Sequence, residues 1–265
     1  MAKKVISFLG ASQMTETIYC LNDRECRTCF MAEATARFFA PDELLVVVTS
    51  EAKAKNFAAL EQRLADVLQP QAIDIPAGKT EDELWTIFNA LAGVINDRDT
   101  IIFDVTNAFR SLPILAFLVI SYIRVVRQAR VEQVVYGAFE ARIGERTPVF
   151  DLTPFVQLLD WTTATDAFLK YGRADDLSAL TTSLPEYQQL GSVLRSLTSA
   201  LQTSRPSETL EKAHQLALTI TQVQPTRSNH SKSGSQVYRE VGQPNSGQSA
   251  AAAQPFGLLL DRIAE

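Results

Sequence analysis

Along the first 150 positions, short apolar runs alternate with longer amphipathic stretches. KVISFL (4–9), ELLVVVT (43–49), AIDIP (72–76), TIIFDV (100–105) and QVVYGAF (133–139) are β-branched or aromatic runs of strand length. Most of the gaps between them have helical period. Thr28 to Phe39 is one such segment. Ala52 to Val67 is another, with Phe57, Leu60, Leu64 and Val67 on one face. In Thr80 to Asn96, residues Leu84, Ile87, Phe88, Leu91 and Ile95 form a stripe. Thr80 with Glu83 three positions later has the spacing of a capping box. Strands alternating with helices predict an α/β fold with a mostly parallel, Rossmann-like sheet, covered on both faces through right-handed crossovers.

The pattern changes after PVFDLTPF (148–155). Thr153–Pro154 marks a helix start, and helical patterns cover Val156 to Tyr171, then about 185–201 and 206–223. The stretch 224–254 is rich in Gln, Ser, Gly and Ala with little to bury, and is expected to be a flexible segment. Two parts are therefore expected: an α/β domain over 1–152 and a helical extension over 153–265.

Composition narrows the function classes. A formal charge of −5 argues against a protein that grips long nucleic acid through a basic surface. It leaves room for a small phosphorylated ligand, because helix N-termini and backbone N–H groups hold phosphate without net positive charge. KVISFL is too short for a signal-peptide core. The apolar stretch Leu112 to Ile123 falls well short of the roughly 20 residues a membrane span needs. Cys20, Cys26 and Cys29 are too few for a disulfide framework, and no histidine is near enough in sequence to complete a zinc site. Free thiols, no metal, no cofactor and a cytoplasmic setting are expected.

In a doubly wound sheet, ligands bind beyond the carboxyl ends of the strands. The first run ends LGASQMT, placing Gly10, Ala11, Ser12 and Thr15 there. The second delivers Thr49 and Ser50 at a helix start, and the third Gly78 and Lys79 ahead of Thr80. The fourth ends DVTNAFR: Asp104, Thr106, Asn107, Ala108, Phe109 and Arg110 stand between two apolar elements. Singly, each has a structural explanation, as a cap, a turn or an Asp104–Arg110 ion pair. Together they converge on one edge. No GxGxxG, GxxxxGK[ST] or GxSxG pattern is present, and His214 and His230 lie away from the sheet in sequence, so a crevice triad has no base.

Five ordered stretches carry a resemblance over residues 3–173: FLGxS, IPxGxxExELWxIF, IIFDxTxxFRSLP, VVYGAFEA and PVFDLTPFVQLLDW. Together they resemble the CARF domain of CRISPR-associated Csx-type accessory proteins. The resemblance implies a homodimeric Rossmann-like sensor of cyclic oligoadenylate, most often cyclic tetra-adenylate, in type III CRISPR antiviral signalling. It also implies a ligand site at Gly10, Ala11, Ser12, Thr15, Thr49, Gly78, Lys79 and Thr106 to Arg110, and commonly a C-terminal HEPN ribonuclease domain.

This chain departs from that family in two places. Where the family typically reads DxTHGFR, it has DVTNAFR, so Asn107 keeps hydrogen-bonding capacity without a proton carrier. HEPN chemistry needs an Arg and a His four to six residues apart on a helix. The pairs Arg205/His214 and Arg227/His230 do not have that spacing, so a sensor without its own RNA-cutting domain is expected. The alternatives are a ring nuclease that cuts its own ligand, with Ser12, Lys79, Thr106 and Asn107 as candidates, and a nucleotide-binding or interaction domain with a degenerate site.

Overall fold

The computed structural model describes residues 1–108, 112–182, 188–203 and 205–223, with Leu259 and Ile263. It divides into two compact units, Met1–Thr153 and Pro154–Glu265. The segment 224–254 lies outside the described residues, as do Phe109 and Arg110.

The first unit is an α/β layer structure. Its strands are β1 (Lys3–Phe8), β2 (Thr17–Leu21), β3 (Arg24–Thr28), β4 (Glu43–Val48), β5 (Gln71–Asp74), β6 (Thr100–Asp104), β7 (Arg130–Gly137) and β8 (Arg146–Asp151). They form one sheet in the order β3-β2-β8-β7-β6-β1-β4-β5. The pairs β7–β6, β6–β1, β1–β4 and β4–β5 are parallel, while β7–β8 and β2–β3 are antiparallel. β1, β4 and β6 are buried at almost every position, as expected for parallel strands covered on both sides.

Among its described residues the helices of this unit are α1 (Met31–Phe39), α2, α3 (Glu81–Gly93) and α4 (Leu112–Val126), with a short 3-10 turn at Phe139–Ala141. The second, α2, runs Ser50–Ala52, widens to a π-helical stretch at Lys53–Phe57 and continues as Ala58–Arg63. Phe57, Leu60 and Leu64 pack with Val5, Leu44 and Val46 in the main core. Val67 lies past the helix and is exposed, so the predicted apolar face is one residue too long. The chain steps from β1 through β4 to β5 on one side, then returns across β1 to β6 and β7. With right-handed crossovers this reversal puts α1 and α2 on one face and α3 and α4 on the other.

Sequence reading missed the β2–β3 hairpin and set the first helix too early. Thr28 closes β3; its hydroxyl accepts from the Phe30 N–H and donates to Glu33, and α1 starts at Met31. Both hairpin strands are five residues long, and β3 (RECRT) exposes three of them. The signal available was the two-residue turn Asn22–Asp23, where Asn22 takes the left-handed conformation that Asn tolerates (φ 53°).

The second unit is helical: α5 (Thr153–Tyr171, starting at the boundary), α6 (Asp175–Thr182), α7 (Gln188–Gln202) and α8 (Pro206–Val223). Its core gathers Trp161, Leu177, Leu190, Leu194, Leu216 and Ile220.

Candidate functional site

Because β1 and β6 are parallel neighbours whose connections wind away in opposite directions across the sheet, their carboxyl ends diverge into loops with a crevice between them. A cleft of about 220 Å³ lies there. The β1 loop lines it with Ser12, Gln13, Met14 and Thr15, and the β6 loop with Thr106 and Asn107. The far wall comes from the end of β7 and the turn after it, Tyr136, Gly137, Phe139 and Glu140; Tyr19 and Cys29 from the hairpin region close the floor.

Each loop is held by a specific device. Asp104 is fully buried at the end of β6; one carboxylate oxygen accepts from the Ser7 hydroxyl (2.5 Å) and the other from the Thr106 N–H (2.9 Å). Burial pushes the Asp104 carboxyl up, and the hydrogen bonds from Ser7 and Thr106 offset this only in part. The Thr106 hydroxyl accepts from the Gly137 N–H (2.8 Å), tying the β6 loop to β7. Gly137 has to be glycine: a Cβ there would lie 2.8 Å from the Tyr19 ring and 3.3 Å from the Thr106 methyl. Tyr19 keeps its proton, since burial first, then the nearby Asp104 and Cys29, all disfavour the phenolate.

On the β1 side, Asn56 does the equivalent work. It sits in the π-helical stretch of α2, and its amide donates to the carbonyls of Gly10 (2.8 Å) and Ser12 (3.0 Å). Widened turns of this kind recur where a helix serves a site. Gly10 itself faces Asn107, whose Oδ1 would lie 3.8 Å from a Cβ built at position 10, so the two loops meet across the crevice mouth.

The residues singled out from sequence divide accordingly. Ser12, Thr15, Thr106 and Asn107 line the cleft; Gly10, Ala11 and Ala108 belong to the loops that shape it. Thr49 caps α2, accepting from the Ala52 N–H, and is not in the lining. Gly78 and Lys79 are not in it either. Gly78 takes a left-handed turn (φ 68°), and the Lys79 N–H donates to Glu83 (2.6 Å) while Thr80 accepts from the Glu83 N–H (3.2 Å). The capping box is thus real but shifted, with Glu83 reaching back one residue further than the cap. The physical reason for the separation is topological: β5 is an edge strand, two places removed from β1. Whether Arg110 holds Asp104 falls outside the described residues; Ser7 and the Thr106 N–H engage the carboxylate.

Sequence reading overlooked Tyr136, Gly137, Phe139 and Glu140, although YGAFE stands at a strand's carboxyl end and the same rule would have found it. Tyr19, Cys29 and Asn56 were harder, because two depend on the unforeseen hairpin and the third on a helix geometry that period alone does not show. The cysteines are free thiols, and the described residues contain no cluster of three His, Cys, Asp or Glu arranged for a metal. No described helix is long and apolar enough to cross a membrane.

A second surface feature lies on the sheet face covered by α3 and α4. α3 and α4 pack on each other and leave an apolar groove of about 490 Å³ between Leu84, Trp85, Phe88, Leu115, Leu118 and Tyr122. Trp85 is 66% exposed and meets Phe88 edge-on, which in turn meets Tyr122.

A reversing, mostly parallel sheet with a hydroxyl-lined crevice at the reversal defines a Rossmann-like ligand-binding domain. Residues 4–140 match the family model of the CARF domain of the CRISPR system endoribonuclease Csx1, and the chain belongs to that family. Residues 157–243 match a model described as the second domain of CRISPR-associated protein MJ1674. The chain is similar to CRISPR-associated protein MJ1674 of Methanocaldococcus jannaschii, 26% identical over 141 residues. That match covers 49% of this chain and 22% of the relative, so the chain spans about a fifth of the length of the curated protein it resembles.

Proposed function

We propose that this protein is a sensor of cyclic oligoadenylate in type III CRISPR antiviral signalling, acting in the cytoplasm as a homodimer, with cyclic tetra-adenylate as the first ring to test. The observation that carries the reading is the cleft at the β1/β6 reversal in a chain of the CARF family: two loops present Ser12, Thr15, Thr106 and Asn107 toward one space. A ring of repeated nucleotides is matched by a two-fold dimer, which offers the same loops to opposite halves of the ligand.

The apolar groove between α3 and α4 supports the dimer. Six large side chains around a groove of about 490 Å³ make a surface that a monomer leaves wet at a cost, and a second copy of the same face would cover it. α3 and α4 both begin on the carboxyl side of the sheet, so a two-fold axis through this face that runs along the strand direction would set two clefts side by side. Trp85→Glu is expected to give monomers by analytical ultracentrifugation at micromolar concentration where the parent protein sediments as a dimer. A monomeric parent, with and without ring, would end the dimer reading.

Incubation with labelled cyclic tetra- and hexa-adenylate tests the ligand. A ring recovered intact from a stable complex supports a sensor. Linear products indicate a ring nuclease working by in-line positioning of a 2′-hydroxyl. For that second reading Ser12, Thr106 and Asn107 share the cleft, whereas Lys79 does not line it. Neither binding nor cleavage refutes both. Asn107→Ala should weaken ring binding by about 1–2 kcal/mol, the scale of a hydrogen bond to a charged group, without changing the melting temperature.

A further inference from the structure

The wall opposite the hydroxyls has a different chemistry. Among the described lining residues of the cleft, Glu140 is a carboxylate, and there is no Lys, Arg or His. A phosphate set against Glu140 would meet like charge, so this wall is unsuited to the ligand's backbone. It is suited to a group that donates hydrogen bonds. The Tyr136 hydroxyl donates to Glu140 Oε1 at 2.5 Å, and Glu140 is otherwise exposed, with further acceptor capacity toward the cleft. The pair therefore holds one O–H donor and one carboxylate acceptor side by side, and turning the phenol away from Glu140 would free both for a base edge. Phe139, 38% exposed, adds an aromatic face next to them, and the Arg142 guanidinium lies 4.6 Å from its ring centre.

Resting on the reading that the ligand is a cyclic oligoadenylate, we propose that Tyr136 and Glu140 read the adenine base: the phenol donates to N1 and the carboxylate accepts from the N6 amine. Adenine presents an acceptor and a donor side by side on that edge, and proteins that read an unstacked base combine such contacts with an aromatic surface. The protonation states suit the roles. In the resting pair the hydrogen bond to Glu140, followed by burial, pushes the Tyr136 phenol up to about 12; when the phenol turns to the base that bond is given up, and burial and the neighbouring carboxylate still favour the protonated form. Within the pair the same hydrogen bond, followed by a backbone one, holds the Glu140 carboxyl below its usual range, and the backbone bond does not depend on Tyr136. Two hydrogen bonds to the base replace one within the pair, and the two side chains are already positioned before the ligand arrives.

Calorimetric titration with cyclic tetra-adenylate and with the same ring built from N6,N6-dimethyladenine tests this directly, because the second ring has no N6–H to donate. The parent protein should favour the unmodified ring by roughly tenfold or more, the scale of a lost hydrogen bond to a charged group. In Glu140→Ala the preference should vanish, at an unchanged melting temperature. Tyr136→Phe should weaken both rings while keeping the preference. A Glu140→Ala protein that retains the preference, or that binds the unmodified ring more tightly than the parent, overturns the assignment. A parent protein that binds both rings equally also overturns it and leaves the sensor reading standing. A parent that binds neither ring refutes both.

Discussion

The two ends of β6 carry two buried acids, five residues apart, in opposite circumstances. At the amino end Asp99 accepts from the N–H groups of Ala2 and Asn96, each at 2.9 Å, and lies 3.0 Å from the ammonium of Lys4, itself 2% exposed. Burial disfavours its charge, yet those two N–H groups and Lys4 outweigh burial and hold the Asp99 carboxyl below its usual range. At the carboxyl end Asp104 has a hydroxyl and one N–H, and its carboxyl is held above that range. Around Asp99 the amino end spends its polar groups on one another. The carboxyl edge sets hydroxyls, an amide and a carboxylate around a cleft, with Asp104 buried at the end of β6. The cleft to which the proposed reading assigns the ligand lies at the end where the buried acid has no cation.

The largest expected effect breaks the closed end. Lys4 also donates to the Val94 carbonyl (2.9 Å), so it joins β1 to the turn before β6. Lys4→Met keeps the length of the side chain and removes the charge, leaving Asp99 buried without its cation. Losing one partner of a buried pair costs about 3–5 kcal/mol, and the lower figure applies here because two N–H groups stay on Asp99. Urea denaturation should show that loss, with ring binding of the surviving folded fraction unchanged. A loss below about 1 kcal/mol would mean the pair contributes no more than a surface ion pair does.

At the open end the corresponding lesion is smaller and should reach the ligand. Gly137→Ala places a methyl against the Tyr19 ring and the Met31 sulfur, at 2.8 and 3.2 Å, and against the Thr106 methyl. Overpacking of this kind costs about 1–3 kcal/mol. Because Thr106 is tied to the Gly137 N–H, the β6 loop must shift, and ring affinity should fall together with stability. Intact affinity in a destabilised Gly137→Ala protein would separate this wall from the site.

What could be read from sequence follows the same division. The central strands were legible because burial on both faces writes them as unbroken apolar runs, and α3 because its stripe and cap are local. β2 and β3 were not, since β2 is placed by pairing with β8, more than 120 positions away, and β3, RECRT, joins the sheet only through β2 and has no apolar run of its own. Ser12, Thr15, Thr106 and Asn107 were legible as cleft-lining positions because one rule about strand ends covers them. Gly78 and Lys79 satisfied the same rule but sit after an edge strand, and strand order is not written locally. Asn56 holds the β1 loop from a widened helical turn that neither period nor motif displays, whereas Glu140 follows a strand end and the same rule reaches it.

The smallest effect is the sharpest test of the contrast between the acids. A carboxyl whose folded pKa is raised binds more protons in the native state than in the unfolded chain, between its unfolded pKa near 3.9 and its higher folded value. Across that window the Asp104 contribution to stability falls as pH rises; above the folded value the penalty is constant. Asp99 behaves in the opposite sense: its contribution is present above the unfolded pKa and is lost as pH falls through the lowered folded value. Asp104→Asn removes the ionisation while keeping both hydrogen bonds available, since the amide oxygen can accept from the Thr106 N–H and the amide nitrogen can donate to Ser7. Above the window this variant should match or slightly exceed the parent in melting temperature. Between parent and variant, the difference should shrink, then reverse in favour of the parent, as pH is lowered toward 4. A parent that gains on the variant as pH rises would show that Asp104 is stabilised as a carboxylate in the fold, and the two ends of β6 would then be alike.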